Sequence, residues 1–298
     1  MKKKTKILII GGSGYLGFNL IRKLNKKKFL ITSVSRKKSQ ERKKIKNIKY
    51  IKCDISKKKE LKKIKKDFEI VFNFCGNVDH KNKMNTIRNH FISSKNLVNH
   101  FEKSDLKKFF QIGSGLEYKR TNKSHNEGDK LEPKGYYGLA KKKASLYCLK
   151  KFYANGFPAT ILRLYQIYGP SQDLNRLMPQ AIFSLKRNRI FRCSHGEQYR
   201  DFLFIDDLTN IFKKLIKKKK KIKGEVFNIG SGQPMKVKKI LKLIKNKIKK
   251  GKILYGVIKL RKDEPMYLSP HINKISKFLN WKPKVNLTKG IAKTIKSF

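Results

Sequence analysis

The stretch KILIIGGSGYLG, residues 6–17, decides the fold of this 298-residue chain. Lys6–Ile10 is a short run rich in β-branched residues and predicts a buried strand, and the residues from Tyr15 onward predict a helix. Glycines in the turn between them permit a tight bend and a close approach of the backbone to a pyrophosphate, while the N–H groups at the helix start face the anion. The stretch therefore predicts a nucleotide cofactor. The residues predicted to contact it here are Gly11, Gly12, Ser13, Gly14, Tyr15, Leu16 and Gly17.

Beyond this turn, short β-rich runs alternate with lysine-laced amphipathic segments, which is typical of the α/β class with a doubly wound parallel sheet. The further predicted strands are Leu30–Val34, Tyr50–Cys53, Ile70–Phe74, Phe109–Ile112 and Ala159–Leu164, and the predicted helices are Tyr15–Leu24, Lys57–Ile64, Asn89–Phe101 and Tyr137–Tyr153. After Gly169 and Pro170 the pattern becomes irregular. We expect residues 1–165 to form a dinucleotide-binding domain to which residues 200–230 return.

Residues 166–298 are expected to form mainly a smaller α/β lobe that binds substrate. Its predicted helices are Leu177–Leu185, Asp207–Ile216 and Val237–Ile248. Asp206 and Asp207 stand where acidic side chains cap a following helix. We expect them to hold the fold rather than to take part in chemistry.

The net charge is extreme, because 76 Lys and Arg oppose 20 Asp and Glu and leave +56. A nucleic-acid or anionic-surface partner is one interpretation, and a general enrichment of lysine on solvated faces is the other. Twelve of the basic residues are arginines, the residue type that proteins favour for bidentate hydrogen bonds to bases and phosphates. The lysines are spread from Lys2 to Lys296 and form no continuous stripe. We expect no specific nucleic-acid partner. A non-enzymatic polyanion-binding protein is kept as an alternative.

The cysteines predict neither a metal site nor a disulfide framework. Cys53, Cys75, Cys148 and Cys193 are far apart, without a CxxC pair or a histidine at ligand spacing. The apolar run 7–10 is too short for the core of a signal peptide, and no stretch of 18 apolar residues predicts a membrane span. We expect a cytoplasmic protein with no bound metal.

The end of the second predicted strand bears on the type of cofactor. An acidic residue there would accept hydrogen bonds from the adenosine ribose and select NAD, but the sequence reads Ser35-Arg36-Lys37. Arg36 and Lys37 suit a 2′-phosphate, so NADP(H) is favoured and NAD(H) stays possible. Asp54, followed by Ile55, comes directly after the third strand and is a candidate partner of the adenine amino group.

Tyr137 and Lys141 form a YxxxK pattern, which on a helix puts a phenol and an ammonium on one face, one turn apart. A phenol is a weak acid at neutral pH, and a cation at this distance stabilises its phenolate. Tyr137 is therefore predicted to act as a general acid or base on a sugar hydroxyl or carbonyl. Ser114, at the end of a predicted strand upstream, completes the candidate catalytic set.

These pieces resemble one known family, the extended short-chain dehydrogenases/reductases, also called NAD-dependent epimerase/dehydratases of nucleotide sugars. The resemblance covers essentially the whole chain. It is carried by GGSGYLG (11–17), CDI (53–55), NFCG (73–76), QIGSGLEY (111–118), YYGLAK (136–141), LRLYQIYGP (162–170), QYRDFLFIDD (198–207), VFNIGSG (226–232), RKDEP (261–265) and LNWKPKVNLTKG (279–290).

The resemblance implies a Rossmann domain, a C-terminal substrate lobe and a catalytic triad on Ser114, Tyr137 and Lys141. It implies that three residues, Phe74, Cys75 and Gly76, line the cofactor ribose and diphosphate. It also implies that Asn89 belongs to the helix behind them, that Tyr165 lies on the nicotinamide side, and that the chain forms a homodimer through Asn89–Phe101 and Tyr137–Tyr153.

The same resemblance assigns the substrate side. Arg200 and Arg261 match the two arginines that clamp a nucleoside diphosphate, a task that suits a planar fork of donors. Gln166 stands where the family often has Asn, which leaves the contact at that position open. His80 either faces the sugar or belongs to a solvated loop.

The resemblance also narrows the reaction. Related dehydratases carry an Asp-Glu pair just after the catalytic hydroxyl, whereas this chain has Gly115 and Leu116, and a reductase that also epimerises neighbouring carbons has Cys at the position of Leu116. What remains is hydride transfer at C4 of a nucleotide sugar. Arg36 and the C-terminal half, which looks like abequose-synthase-type reductases of 4-keto-3,6-dideoxyhexose nucleotides, favour an NADPH-dependent 4-ketoreductase in cell-surface polysaccharide biosynthesis. An NAD-dependent 4-epimerase is the alternative.

Overall fold

The computed structural model describes residues 4–36, 44–76, 82–218, 222–261 and 263–298. The chain divides into two compact units. Unit 1 comprises Met1–Lys119, Lys130–Arg163 and Phe212–Phe227, and unit 2 comprises Arg120–Asp129, Leu164–Ile211 and Asn228–Phe298. Within the described ranges, no helix combines the length and the apolar character that crossing a membrane requires.

The strands and helices alternate through the first half of the chain, and most strands of the second half are shorter. In chain order the strands are β1 (Thr5–Ile10), β2 (Phe29–Ser35), β3 (Ile48–Lys52), β4 (Ile70–Asn73), β5 (Lys108–Ser114), β6 (Ala159–Leu164), β7 (Gln166–Tyr168), β8 (Ile190–Arg192), β9 (Tyr199–Phe204), β10 (Val226–Ile229), β11 (Pro234–Lys236), β12 (Lys252–Leu254) and β13 (Tyr267–Leu268). The α-helices are α1 (Tyr15–Lys23), α2 (Lys83–Ile87), α3 (Ser93–Phe101), α4 (Tyr136–Asn155), α5 (Leu177–Lys186), α6 (Ile205–Lys217), α7 (Val237–Ile248), α8 (Asn273–Leu279) and α9 (Leu287–Lys296).

A seven-stranded sheet with the order β10-β6-β5-β4-β1-β2-β3 forms the centre of unit 1. The pairs β1–β2, β2–β3, β1–β4 and β4–β5 are parallel. The first three strands lie side by side in the order β1, β2, β3, and β4 then pairs with the other side of β1. In such sheets ligands bind beyond the carboxyl ends of the strands, where the order reverses. The predicted α/β class with a doubly wound parallel sheet is confirmed.

The apolar strands are buried because helices cover both faces of a parallel sheet. Ile7, Leu8 and Ile9 in β1 have no exposed surface, and Leu8 belongs to a hydrophobic cluster with Val71 of β4 and Phe109 of β5. Each such side chain contributes roughly 1.5–3 kcal/mol relative to an exposed position. This burial explains why the strands of unit 1 read as continuous apolar runs.

The predicted helix Asn89–Phe101 is not continuous. The structure has α2, a π-helical turn at Arg88–Ile92 and then α3. The π turn carries Asn89 and His90, both buried, and the Ser93 hydroxyl donates to the Arg88 carbonyl at 3.0 Å. Such turns insert extra backbone into a helix and are frequent at functional sites. The predicted helix Lys57–Ile64 is also shorter, a 3-10 helix over Lys58–Lys63.

Unit 2 contains short strands that sequence periodicity did not indicate. β9 pairs with β11, β13 and β7, and β12 pairs with β8. The prediction that Asp207 caps a helix is wrong, because α6 begins at Ile205 and places Asp207 inside its first turn. The Asp207 carboxylate instead accepts the backbone N–H groups of Lys284 and Val285 at 3.1 and 3.0 Å. It thereby fixes the segment that precedes α9.

The end of α6 is held by a lysine from the central sheet. The Lys108 Nζ donates to the carbonyl oxygens of Leu215, Ile216 and Lys218 at 3.0, 2.6 and 2.9 Å. These carbonyls lie in the last turn of the helix, where a cation interacts favourably with the helix dipole. Burial lowers the pKa of Lys108. The contact joins β5 to α6 within unit 1.

We expect Lys108→Met to lower the free energy of unfolding by about 1–3 kcal/mol, because three carbonyls lose a charged donor. Urea denaturation followed by circular dichroism measures the change. Lys107→Met is the matched control, since Lys107 is mostly exposed and pairs with Glu69 at the surface. Equal stability of the two variants would show that Lys108 does not support α6.

Candidate active site

The glycine turn between β1 and α1 leaves no room for a side chain at Gly12 or Gly17. Gly11 has a φ of +75°, and its N–H donates to the Val34 carbonyl at 2.8 Å. A Cβ on Gly12 would overlap the Ser33 hydroxyl. A Cβ on Gly17 would lie 2.5 Å from the Gly11 carbonyl oxygen. Side chains at these positions would therefore collide with protein atoms, and the tight turn that precedes the helix of a dinucleotide-binding sheet requires glycine here.

The helix start in this turn has the features of an anion site. Gly14 is the N-cap residue of α1, and no side chain caps the helix there. Its first N–H groups therefore lack the usual side-chain acceptor. The turn thus fits a dinucleotide. Of the other predicted residues, Ser13 donates its N–H to Ser35 Oγ at 3.2 Å, the Tyr15 carbonyl accepts from Asn19 at 2.8 Å, and Leu16 is half-buried in the first turn of α1.

The end of β4 forms a second wall beside the glycine turn. The Phe74 carbonyl oxygen lies 3.1 Å from the position of a Cβ on Gly11, so the two backbones are in close contact. The Cys75 thiol donates to the Asn89 carbonyl at 3.2 Å, and burial raises its pKa. Gly76 packs against the ring of His90. The structure thus brings this predicted segment and the π turn together.

Arg36 lies at the end of β2 and reaches the same π turn. Its Nη1 donates to Asn89 Oδ1 at 2.9 Å, and its side chain is exposed. No acidic residue follows β2 before the described range ends at Arg36. Lys37 and His80, which the sequence analysis also proposed as ligands, lie outside the described residues.

Asp54 and Ile55 have different surroundings. Asp54 Oδ1 accepts the N–H and the hydroxyl of Ser56 at 3.0 and 2.7 Å, and Arg88 approaches the other oxygen at 3.7 Å. Burial alone would raise the pKa of Asp54, but these hydrogen bonds and the arginine lower it. The Ile55 side chain is buried in the hydrophobic cluster of unit 1. Its carbonyl oxygen accepts from Asn96 Nδ2 at 3.2 Å.

The candidate catalytic residues come from β5 and α4. Lys141 is buried, and its Nζ donates to the carbonyl of Ile112, two residues before Ser114, at 2.8 Å. The same Nζ lies 5.8 Å from the centre of the Tyr137 ring. The Ser114 hydroxyl accepts the N–H of Leu116 at 3.2 Å. One ammonium thus connects the helix of the tyrosine to the strand of the serine.

Two neighbours of this set were missed by the sequence analysis. The His90 ring meets the Tyr137 ring edge-on, with centres 5.0 Å apart. The Glu117 carboxylate, fully buried, accepts the Ser114 N–H at 2.8 Å and forms an ion pair with Arg163. Glu117 lies in the segment QIGSGLEY, and nothing in that segment indicates that its side chain points inward. A charged residue at a strand end is usually solvated.

In unit 2 the predicted substrate residues Gln166, Arg200 and Arg261 line one pocket. Glu264 bonds to both arginines: it pairs with Arg200 Nη2, and it accepts from Arg261 Nη2 at 2.5 Å. Burial alone would raise the pKa of Glu264, but the two guanidinium groups lower it. Tyr165 is buried, and its hydroxyl lies 3.0 Å from His125 Nδ1.

A doubly wound parallel sheet with a glycine turn at the point of strand reversal is the architecture of dinucleotide-binding proteins. A family model for the NAD dependent epimerase/dehydratase family matches residues 7–230. The chain belongs to this family of extended short-chain dehydrogenases/reductases. Among the described residues, no group of three His, Cys, Asp or Glu side chains is arranged to hold a metal ion.

Relatives within the family differ in their activities. The CDP-abequose synthase of Salmonella typhimurium is 31% identical over 152 residues, which cover 49% of this chain and 50% of that protein. The chain thus spans about half the length of the CDP-abequose synthases it matches. A putative UDP-glucose 4-epimerase of Methanocaldococcus jannaschii is 26% identical over 302 residues, 97% of each chain.

Solved structures share the whole fold. The UDP-glucose 4-epimerase of Thermotoga maritima, determined with UDP-glucose, has a TM-score of 0.91 at 24% identity and covers 99% of this chain and 98% of its own. The UDP-glucuronic acid 4-epimerase of Bacillus cereus, determined with UDP-glucuronic acid and NAD, has a TM-score of 0.88 at 23% identity and covers 98% of each chain. At this identity the likeness concerns the fold.

Proposed function

We propose that the chain is an NAD(P)-dependent oxidoreductase that acts at C4 of a nucleotide-activated sugar. The preferred reaction is the NADPH-dependent reduction of a 4-keto-deoxyhexose nucleotide. One observation carries the proposal: Lys141 is buried beside Tyr137 and bonded to the strand that ends in Ser114. The hydrogen bond joins the helix of Tyr137 to the strand of Ser114 at the carboxyl end of a parallel sheet. A phenol, an ammonium and a hydroxyl placed in this way suit proton transfer to a bound sugar.

The residues of unit 1 suit a dinucleotide. Backbone N–H groups of the glycine turn would hold the pyrophosphate, and Phe74, Cys75 and Gly76 would flank it. When bound, the nicotinamide donates the hydride in reduction and accepts it in oxidation. Lys141 has three N–H donors, of which one serves the Ile112 carbonyl. The others can bind a ribose hydroxyl and stabilise the Tyr137 phenolate.

The proton steps fall to Tyr137 and Ser114. Tyr137 would give the proton of its hydroxyl to the alkoxide that develops at O4. The Ser114 oxygen already accepts the Leu116 N–H, so its own proton is directed to another acceptor and can bond to the same alkoxide. Lys141 would then stabilise the phenolate left on Tyr137.

Dehydration is not part of the proposal, because it needs an additional acid and base after the catalytic hydroxyl. The positions after Ser114 are Gly115 and Leu116, neither of which can transfer a proton. Glu117 is the next carboxylate along the chain, but its oxygens accept from Ser114, Ser145 and Arg163 inside the protein. The Glu117 carboxylate is therefore engaged inside the protein and has no exposed surface.

A second candidate is an NAD-dependent 4-epimerase that keeps its cofactor. It is supported by the similarity over 97% of the chain to a putative UDP-glucose 4-epimerase and by the 4-epimerase structures of the same fold. The absence of an acidic residue after β2 within the described range, and the exposed guanidinium of Arg36, favour NADP(H) and hence the reductase.

On the substrate side we propose that Arg200 and Arg261 bind the diphosphate of the sugar nucleotide and that Gln166 contacts the same ligand. The three residues share a pocket within unit 2, and Glu264 orients both guanidinium groups. Bidentate guanidinium groups match phosphate oxygens. The homodimer through α3 and α4, the cytoplasmic location and the role in cell-surface polysaccharide synthesis stay predictions.

The reductase and the epimerase differ in what they consume. We expect the purified chain to oxidise NADPH when it is given 4-keto-6-deoxy or 4-keto-3,6-dideoxy sugar nucleotides, with loss of NADPH absorbance matching the sugar reduced. Boiled protein is the control. Tightly held NAD(H) together with reversible inversion at C4 of a sugar nucleotide would select the epimerase instead.

We expect Tyr137→Phe to lower turnover by at least about 100-fold, because the variant loses the proton donor for O4. Cofactor affinity, measured by quenching of protein fluorescence, should stay within about twofold, since the ring and its contacts remain. Tyr136→Phe is the matched control, because Tyr136 is the preceding residue and is 47% exposed. An active Tyr137→Phe variant would remove the assigned acid.

Arg36→Ala tests the choice of cofactor. We expect the KM for NADPH to rise about tenfold or more, since the guanidinium would bind the 2′-phosphate, and the KM for NADH to change little. Initial rates with each cofactor measure the ratio. Arg22→Ala controls for loss of one surface charge, because Arg22 packs on Phe18 of α1. An unchanged preference for NADPH over NADH would show that Arg36 does not bind the 2′-phosphate and only forms the hydrogen bond with Asn89.

A further inference from the structure

A complete ion pair lies buried behind Ser114, where the proposed reaction does not use it. Glu117 has no exposed surface; its Oε1 accepts the Ser114 N–H at 2.8 Å and the Ser145 hydroxyl at 3.1 Å. Its Oε2 accepts from Arg163 Nε at 2.9 Å. Both carboxylate oxygens are thus bonded to protein donors from β5, α4 and β6.

Arg163 is as deeply buried as its partner. Its side chain is 2% exposed, and Nη1 donates to the Tyr118 hydroxyl at 2.7 Å. The guanidinium carbon also lies 4.6 Å from the centre of the Tyr118 ring. Burial alone would lower the pKa of Arg163, but Glu117 and Tyr118 raise it. Arg163 therefore keeps its charge in the interior.

Such a pair is a poor source of stability. Removing two charges from water offsets most of their attraction, and well-packed apolar residues of similar volume are often equally stable. The pair must therefore be explained by something that apolar residues would not supply. Apolar residues would leave two donors without the Glu117 carboxylate, the Ser145 hydroxyl and the backbone N–H of Ser114, and the second belongs to a candidate catalytic residue.

Ser114 is held by two reciprocal hydrogen bonds. Its N–H donates to Glu117, and its hydroxyl oxygen accepts from Leu116 at 3.2 Å, which together form a capping box on the turn Gly115–Glu117. The first bond fixes the backbone of Ser114, and the second fixes the direction of its hydroxyl. The loss of either bond frees the hydroxyl to rotate away from the substrate.

We propose that Glu117 is a positioning residue for Ser114 and that Arg163 serves to hold the Glu117 carboxylate in place. The inference rests on the proposed function, because it assigns Ser114 a hydrogen bond to the reacting oxygen. Misplacement of such a group by a fraction of an ångström costs rate without loss of binding.

Two double variants separate positioning from stability. Glu117→Gln with Arg163→Met removes both charges and keeps an acceptor for the Ser114 N–H, whereas Glu117→Leu with Arg163→Met removes the charges and the acceptor. Neither leaves an unpaired buried charge. We expect the first to keep kcat within about threefold of the wild type and the second to lose about tenfold to a hundredfold in kcat at unchanged KM.

Hydrogen exchange at the Ser114 amide gives a readout apart from turnover. The amide should be protected in the wild type and in the Gln variant, and should exchange faster in the Leu variant. Ser145→Ala is the matched control, because it removes another donor to the same oxygen and leaves Ser114 bonded. We expect its kcat and its Ser114 exchange to match the wild type.

Equal kcat in the two double variants, both folded by thermal unfolding, would overturn the inference. Should the Leu variant not fold, Glu117→Met with Arg163→Met removes the same acceptor with an unbranched side chain, and wild-type kcat in that variant would overturn it as well. A wild-type chain that turns over no sugar nucleotide contradicts the proposed function. Hydrogen exchange then still decides whether Glu117 fixes Ser114.

Discussion

One buried ammonium connects the parts of the candidate site. Among the described lysines, Lys141 is the one whose side chain is buried, and a buried charge is costly unless hydrogen bonds satisfy it. The Ile112 carbonyl accepts one of its protons and fixes α4 against β5 at that point. Because Tyr137 lies one turn earlier on α4 and Ser114 lies two residues later on β5, this bond sets where both hydroxyls stand.

Much of this arrangement could be predicted from the sequence because it is local. The glycine turn follows directly from three glycines between an apolar run and a helix, and the YxxxK spacing puts Tyr137 and Lys141 on one helix face. Val237–Ile248 was predicted with its observed bounds, since its apolar residues recur at helical spacing. The alternation of predicted strands and helices along the chain was enough to predict the fold class.

The rest depends on contacts between residues distant in sequence. Nothing in the sequence near Asp207 indicates that it holds the backbone of Lys284 and Val285. The three-residue strands of unit 2 are too short to show a period of two. Glu117 meets Arg163 across 46 residues, and periodicity carries no information at that range.

The net charge of +56 is compatible with the candidate active site because few of the charged side chains lie in the interior. Each buried charge is matched locally: Glu117 by Arg163, and Lys141 by a carbonyl dipole. Asp201 accepts two N–H groups and a hydroxyl from Ser231 and Gln233. Lysines on solvated faces repel one another through water, over a screening length of about 8 Å at physiological salt. The surface charge therefore affects solubility and association, whereas the orientation of Tyr137 and Ser114 is set by short hydrogen bonds that salt screens weakly.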